Sequence, residues 1–218
     1  MDWNALAGPW LKVEAQTDVA HRPVLDAVMA QAGLEPGQRV LDIGPGGGVS
    51  LVRAAGAVGP TGHITGIEVA PPFVTRARAR VPEQVTVIEG DAQGYAFEKG
   101  AFDVAISLFG VMFFDDSVAA FKNIRRGVKP GGVMSFACWG PREVNPWFAM
   151  PASVAADVLG PGPAPDPNAP GPMRFADPVK LAAILERAGW RAKVETVDLV
   201  LTPAGSPEDV ADIMMTIG

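Results

Sequence analysis

The chain has 218 residues, 48% of them hydrophobic, with a formal net charge of −6, enough for one well-filled core in a single domain. The acidic balance and scattered arginines argue against a nucleic-acid partner, and Cys138, the only cysteine, rules out an internal disulfide and suits a reducing cytoplasm. No run reaches the roughly 18 consecutive apolar residues of a membrane span, and the acidic start around Asp2 is not a secretory signal.

Residues 1–12, with Trp3, Trp10 and Leu11, precede a predicted helix over 18–32, capped by Asp18, in which Val24, Leu25, Val28 and Met29 recur at helical spacing. Gly33 and Pro36-Gly37 end it. Residues 39–43 then form a predicted strand. Its Val40, Leu41 and Ile43 form an apolar run with no polar alternation beyond Asp42, as expected of a strand buried on both faces of a parallel sheet. Gly44-Pro-Gly-Gly-Gly48 follows and opens a helix with Val49, Leu51, Val52 and Ala55 on its apolar face. The unpaired first-turn N–H groups of that helix face the glycines, where backbone can press against a ligand.

Residues 63–68 read as a second strand ending in Glu68, and Pro71-Pro72 start a helix whose Arg76, Arg78 and Arg80 read as a solvated face. A third strand over 85–88 leads to Glu89-Gly-Asp91, and a fourth over 102–107 to Leu108, Phe109, Met112 and Phe113. Asp115-Asp116 read as cap and first-turn charge for a helix over 117–128, rather than as a metal pair. Lys129-Pro-Gly-Gly132 reads as a sharp turn into a fifth strand over 133–139. Alternation at this cadence predicts an α/β, Rossmann-like, doubly wound and mostly parallel sheet with helices on both faces.

From 140 to 171 the sequence predicts irregular chain, densest in proline between 160 and 172, as either a lid or a plain connector. Asp177-Pro178 start a helix that Gly189 closes, and residues 193–201 read as a sixth strand. Ser206-Pro-Glu-Asp209 resembles a capping box for a last helix. That helix has scarcely begun when the sequence stops at Gly218, with Ile213, Met214, Met215 and Ile217 still needing something to pack on, so the expectation is a chain truncated before a seventh strand or an end completed by a partner, a homodimer being one arrangement.

A nicotinamide fingerprint needs glycine at position 49, which is Val49. The order is instead Asp42, then Gly44, Gly46 and Gly48, then Glu68 ending strand two and Gly90-Asp91 after strand three. In this the chain resembles the class I S-adenosylmethionine-dependent methyltransferases, in particular the small-molecule branch of quinone-biosynthesis C-methyltransferases, over roughly residues 35–140. Pro45 and Gly47 depart mildly from the cysteine and threonine usual there.

The resemblance implies S-adenosylmethionine as cofactor and one domain over 1–218. That domain would comprise a helical cap (1–34), a cofactor-binding core (35–139), an insertion or lid (140–176) and a C-terminal helix-strand-helix (177–218). It implies cofactor contacts from Asp42, Gly44, Pro45, Gly46, Glu68 and Val69, with the Glu68 carboxylate on the ribose hydroxyls. Asp91 and Ala92 would face the adenine, and Ser107 and Leu108 would line the crevice. Trp10 and Gln16 would lie near the methionine end.

Methyl transfer from a sulfonium needs alignment and desolvation more than a strong base. His21 is the better proton acceptor of the two histidines, since His63 starts strand two at the far end of the sheet. Ser107 stands where metal-dependent catechol enzymes need an acid, so no metal is expected. Ser107-Leu-Phe-Gly110 also lacks the Pro-Pro-Tyr turn of enzymes that methylate bases or glutamine. The expected acceptor is a small apolar or aromatic metabolite held by Trp10, Phe109, Met112, Phe113, Trp139, Trp147 and Phe148. Competing readings are a silent cofactor-binding module and a nicotinamide-dependent oxidoreductase.

Overall fold

The computed structural model describes residues 2–160, 162, 166 and 168–217. Five strands, β1 (Arg39–Ile43), β2 (His63–Glu68), β3 (Val85–Glu89), β4 (Phe102–Leu108) and β5 (Val128–Ala137), make one sheet in the order β3-β2-β1-β4-β5. Every adjacent pair is parallel. The winding runs outward in both directions from β1, so a crevice opens where β1 and β4 diverge at their carboxyl ends.

Consecutive strand residues serve opposite faces, as the two-residue period demands. Leu41, Ile43, Ile67 and Ala105 pack with Phe121 and Ile124 of α6 (Ser117–Gly127) and with Leu181 and Leu185 of α8 (Pro178–Arg187). Val40, Ile64, Val104 and Ile106 pack with α3 (Arg22–Ala32), α4 (Val49–Val58) and α5 (Pro71–Arg80). Both faces of β1 are therefore dry from Val40 to Ile43, which is why the one polar side chain in that stretch, Asp42, matters.

Three of the four capping expectations hold. Asp116 accepts from the Ala119 N–H at 2.9 Å, and Asp177 accepts from Val179 and Lys180 with Pro178 in the first helical position. Ser206 and Asp209 bond reciprocally at the start of α9 (Pro207–Ile217).

Several expectations are corrected. The single helix over 18–32 is two, α2 (Glu14–Ala20) and α3, meeting at His21. Pro23 has no N–H to give and its ring would strike the carbonyl four residues back, so a new helix starts there. Asp18 therefore lies inside α2 and caps nothing. Before them comes α1 (Trp3–Lys12), capped by Asp2.

The fifth strand begins at Val128, so the Lys129-Pro-Gly-Gly132 segment is an irregularity inside β5. The register jumps there from Phe102 opposite Val128 to Val104 opposite Val133. The strand stops at Ala137, short of Trp139. The stretch predicted irregular contains α7 (Pro146–Leu159), started by Pro146 where a missing N–H costs nothing.

In the proline-rich stretch, Pro161, Pro163, Ala164, Pro165 and Pro167 lie outside the described residues. The chain is fastened again beyond them. The Gly171 N–H donates to the Met112 carbonyl at 3.1 Å, the Arg174 guanidinium donates to Ser117 Oγ at 3.1 Å, and Phe175 is buried in the core.

Residues 193–201 carry no ladder. They and the outer edge of β5 line a common cavity instead of pairing. Among the described residues no helix is long and apolar enough to cross a membrane.

Candidate active site

The glycine turn sits at the carboxyl end of β1. Gly44, Gly46 and Gly48 all take positive φ (64°, 54° and 92°), a region closed to most side chains. A Cβ on Gly44 would press on Gly110 Cα at 3.0 Å, so the turn and the segment after β4 touch backbone to backbone. Nothing lies within 4 Å of a Cβ position on Gly46, so that face of the turn is open to a ligand.

Glu68 ends β2 beside the turn and is 6% exposed. Its Oε2 accepts from the Gly46 N–H and its Oε1 from the Ala70 N–H, both at 3.0 Å. Burial raises its pKa, and these backbone donors, together with Val69, hold the rise back. Asp42 lies beneath the turn, fully buried, and among the described residues nothing donates to either carboxylate oxygen. Burial pushes its pKa up to about 7, the Glu68 charge adds to this, and the buried Ser50 hydroxyl opposes it while stopping short of a hydrogen bond.

An orphaned buried carboxylate is costly, and a cation or a water bridging to one would satisfy it. This, the open face at Gly46 and the strand-end acid fit a ligand carrying an ammonium and a sugar diol.

Asp91 is exposed after β3, with Oδ1 accepting from the Gln93 N–H at 2.8 Å, and Ala92 beside it is buried. Val69 is half exposed next to Glu68, while Pro45 is buried within the turn. Ser107 spends its hydroxyl on the Ile43 carbonyl at 2.7 Å, which ties β4 to β1 across the crevice, and Leu108 is partly buried after it.

Phe109 follows β4 with φ 69°, the one non-glycine residue with positive φ among those described. A bulky residue is costly there and tends to mark a functional constraint. Its ring stacks on Trp139 at 4.7 Å between centroids with planes 4° apart, and the His21 ring meets both edgewise, at 5.3 and 6.0 Å. Burial pushes His21 down to about 4, so its imidazole is neutral.

These three residues, with Gln16, Trp147 and the 193–201 segment, line a cavity of about 1100 Å³. Phe148 reaches it indirectly, its ring against Trp139 at 5.1 Å. Trp10, Met112 and Phe113 stand elsewhere: Trp10 packs on Ala70 and Phe73, Met112 is core, and Phe113 meets Trp3.

Sequence reasoning passes over Glu14 and misses its link to Arg76 and Arg80. Arg76 and Arg80 are ion-paired rather than simply solvated, Arg76 to Glu14 at 2.7 Å and Arg80 to Asp18 at 2.6 Å, while Arg78 donates to the Val87 carbonyl. No local pattern signals pairs more than 60 residues apart. The 193–201 wall was read as strand, so its exposure to a cavity went unseen.

A methyltransferase domain family matches residues 40–132, which spans β1 to β5. Nocamycin O-methyltransferase of Saccharothrix syringae is 30% identical over 202 residues, 90% of this chain and 64% of that protein. Demethylmenaquinone methyltransferase of Staphylococcus aureus is 33% identical over 116 residues, 52% of this chain and 48% of that protein. The chain thus spans about half to just under two thirds of the length of these curated relatives. An Aquifex aeolicus S-adenosylmethionine-dependent methyltransferase structure shares the fold, with a TM-score of 0.59 and 21% identity over 76% of this chain and 78% of that one. With the glycine turn, Glu68 and the β3-β2-β1-β4-β5 sheet in place, residues 40–132 carry a methyltransferase domain, and the chain is similar to the class I S-adenosylmethionine-dependent methyltransferases.

Proposed function

We propose that this protein transfers a methyl group from S-adenosylmethionine to a small apolar or aromatic metabolite in the cytoplasm, mainly by aligning and desolvating the acceptor. The observation that carries this reading is the Phe109–Trp139 stack with His21 on its edge, facing a largely apolar cavity beside the β4 carboxyl end. The names of the two curated relatives, which specify a nocamycin and a quinone-type acceptor, support a small-molecule acceptor here.

The cofactor, when bound, supplies an electrophilic methyl group together with its leaving group. Glu68 would hold the ribose hydroxyls, each carboxylate oxygen having a lone pair beyond its backbone donor. Asp42 would balance the ammonium from below the turn, Asp91 and Ala92 would take the adenine edge, and Ser107 and Leu108 would shape the crevice. His21, neutral across the physiological range, can accept a proton from an acceptor hydroxyl, although a pKa near 4 makes it a weak base. Most of the rate must then come from proximity.

The test is to incubate the protein with S-adenosylmethionine and a panel comprising a hydroquinone, a catechol, a hydroxyquinone and a primary amine, and to quantify S-adenosylhomocysteine by mass spectrometry. Turnover with a phenolic or quinone-like member is the expected result. Tight cofactor binding with no methylated product from any of them would favour a silent binding module, and NAD binding in place of S-adenosylhomocysteine would overturn both.

A further inference from the structure

The two N-terminal helices form an arm across the carboxyl ends of the strands, fastened at both sides. On the β4–β5 side, Trp3 packs edgewise on Phe113 at 4.7 Å and His21 on Phe109. On the α5 side the fastening is ionic. Arg76 donates from Nε and Nη2 to Glu14 Oε2, both at 2.7 Å, Arg80 Nη1 meets Glu14 Oε1 at 3.3 Å, and Arg80 Nη2 meets Asp18 Oδ2 at 2.6 Å. The side chains of Glu14, Asp18 and Arg80 are 16%, 23% and 25% exposed, so solvent screens this cluster only in part.

Glu14 also occupies a particular place. Its carboxylate rests on Gly47, with Oε1 so close that a Cβ at that position would overlap it. The missing side chain at 47 is what lets the arm settle onto the turn. Glu14 is near the start of α4, where a negative charge is favoured by the helix dipole.

We infer that Glu14 is a positioning residue that, through Arg76 and Arg80, latches the arm over the glycine turn and so sets how long a cofactor stays bound. This rests on the cofactor lying at that turn. Glu14 touches the turn from outside and reaches no reacting atom; its effect is on retention.

Two measurements test it. The first is the dissociation rate of S-adenosylhomocysteine, followed by competition in stopped flow at low and high salt. Glu14→Gln should raise the rate about fivefold to tenfold and remove most of the salt sensitivity seen in the natural sequence, as expected when a cluster of partly exposed ion pairs is lost. Gly47→Ala, whose methyl group would crowd the Glu14 carboxylate, should have the same effect while leaving all four charged residues in place.

The second measurement needs no cofactor. Hydrogen exchange of the ligand-free protein should accelerate in α1 and α2 of both variants, while β1 and β4 keep their protection and so report an intact fold. Unchanged exchange in α1 and α2 of both variants overturns the latch even if the cofactor fails to bind. Failure of S-adenosylhomocysteine to bind the natural sequence, with the exchange result as expected, would condemn the cofactor placement and keep the arm contact.

Discussion

Glu68 and Gly46 lock the ligand-facing turn shut on itself: a carboxylate oxygen at the end of β2 accepts the N–H of the central glycine of the turn that follows β1, at 3.0 Å. Two strands that are neighbours in the sheet thus present one composite surface, and the acid that would bind a ribose also shapes the loop beside it. Glu68→Ala should weaken S-adenosylhomocysteine by about 2–3 kcal/mol, the cost of losing charge-assisted hydrogen bonds in a buried site. Titration calorimetry checks this. Glu68→Gln, which can offer only one oxygen, should fall between, and an unchanged affinity in both would place the ribose elsewhere.

Asp42 gives the ligand-free protein a pH signature. Its native pKa near 7 lies above the ordinary carboxylate value, so ionisation is opposed by the fold. The penalty is absent below about pH 4, grows as the pH rises and is complete above about 7. His21 acts in the opposite sense: its native pKa near 4 lies below the ordinary 6.5, so stability is lost as the pH falls from about 6.5 to about 4. Between about pH 6.5 and 7.5 the Asp42 effect outweighs the fading, opposite one of His21, and urea unfolding should show stability falling as pH rises. Asp42→Asn should flatten that slope, and a slope that persists would assign it to another group.

Phe121 is fully buried and touches Phe114, Phe136 and Phe175 with its ring, while its carbonyl accepts from Trp190 Nε1 at 3.0 Å. Phe121→Ala should cost about 3–5 kcal/mol in chemical denaturation, because helices α6 and α8 lose a shared filler that neither can replace by collapsing. A loss below about 1 kcal/mol would mean that this face of the sheet repacks.

What was legible in the sequence was local. The β1 run, the glycine turn, the strand-end acid and the three caps each declare themselves within a few residues, because backbone conformation and first-turn hydrogen bonding are decided at that range. The break at His21 was also local, written in Pro23, but the helical spacing from Val24 onward masked it. Helix α7 was hidden by its prolines, one of which is tolerated as a helix starter.

The rest depends on partners distant in sequence. Pairing is what makes a strand, and residues 193–201 have the composition for it but form no ladder with any strand among the described residues. The register jump in β5 follows from β4 lying alongside. The Glu14 cluster needed α5 to be folded against α2 before its charges meant anything.

The excursion between Trp139 and Phe175 is fastened at both ends. Trp139 and Phe148 hold one end, and Arg174 and Phe175 the other. For a loop with fixed ends, doubling the length costs only about 0.6 kcal/mol in closure entropy. Changes of length between these two fastenings should therefore cost the fold little, while moving α7, which carries Trp147 on the cavity wall. Under the proposed function, the cavity side can then drift in length while the side that holds the glycine turn stays fixed, a division of labour that would let one scaffold be refitted to new acceptors.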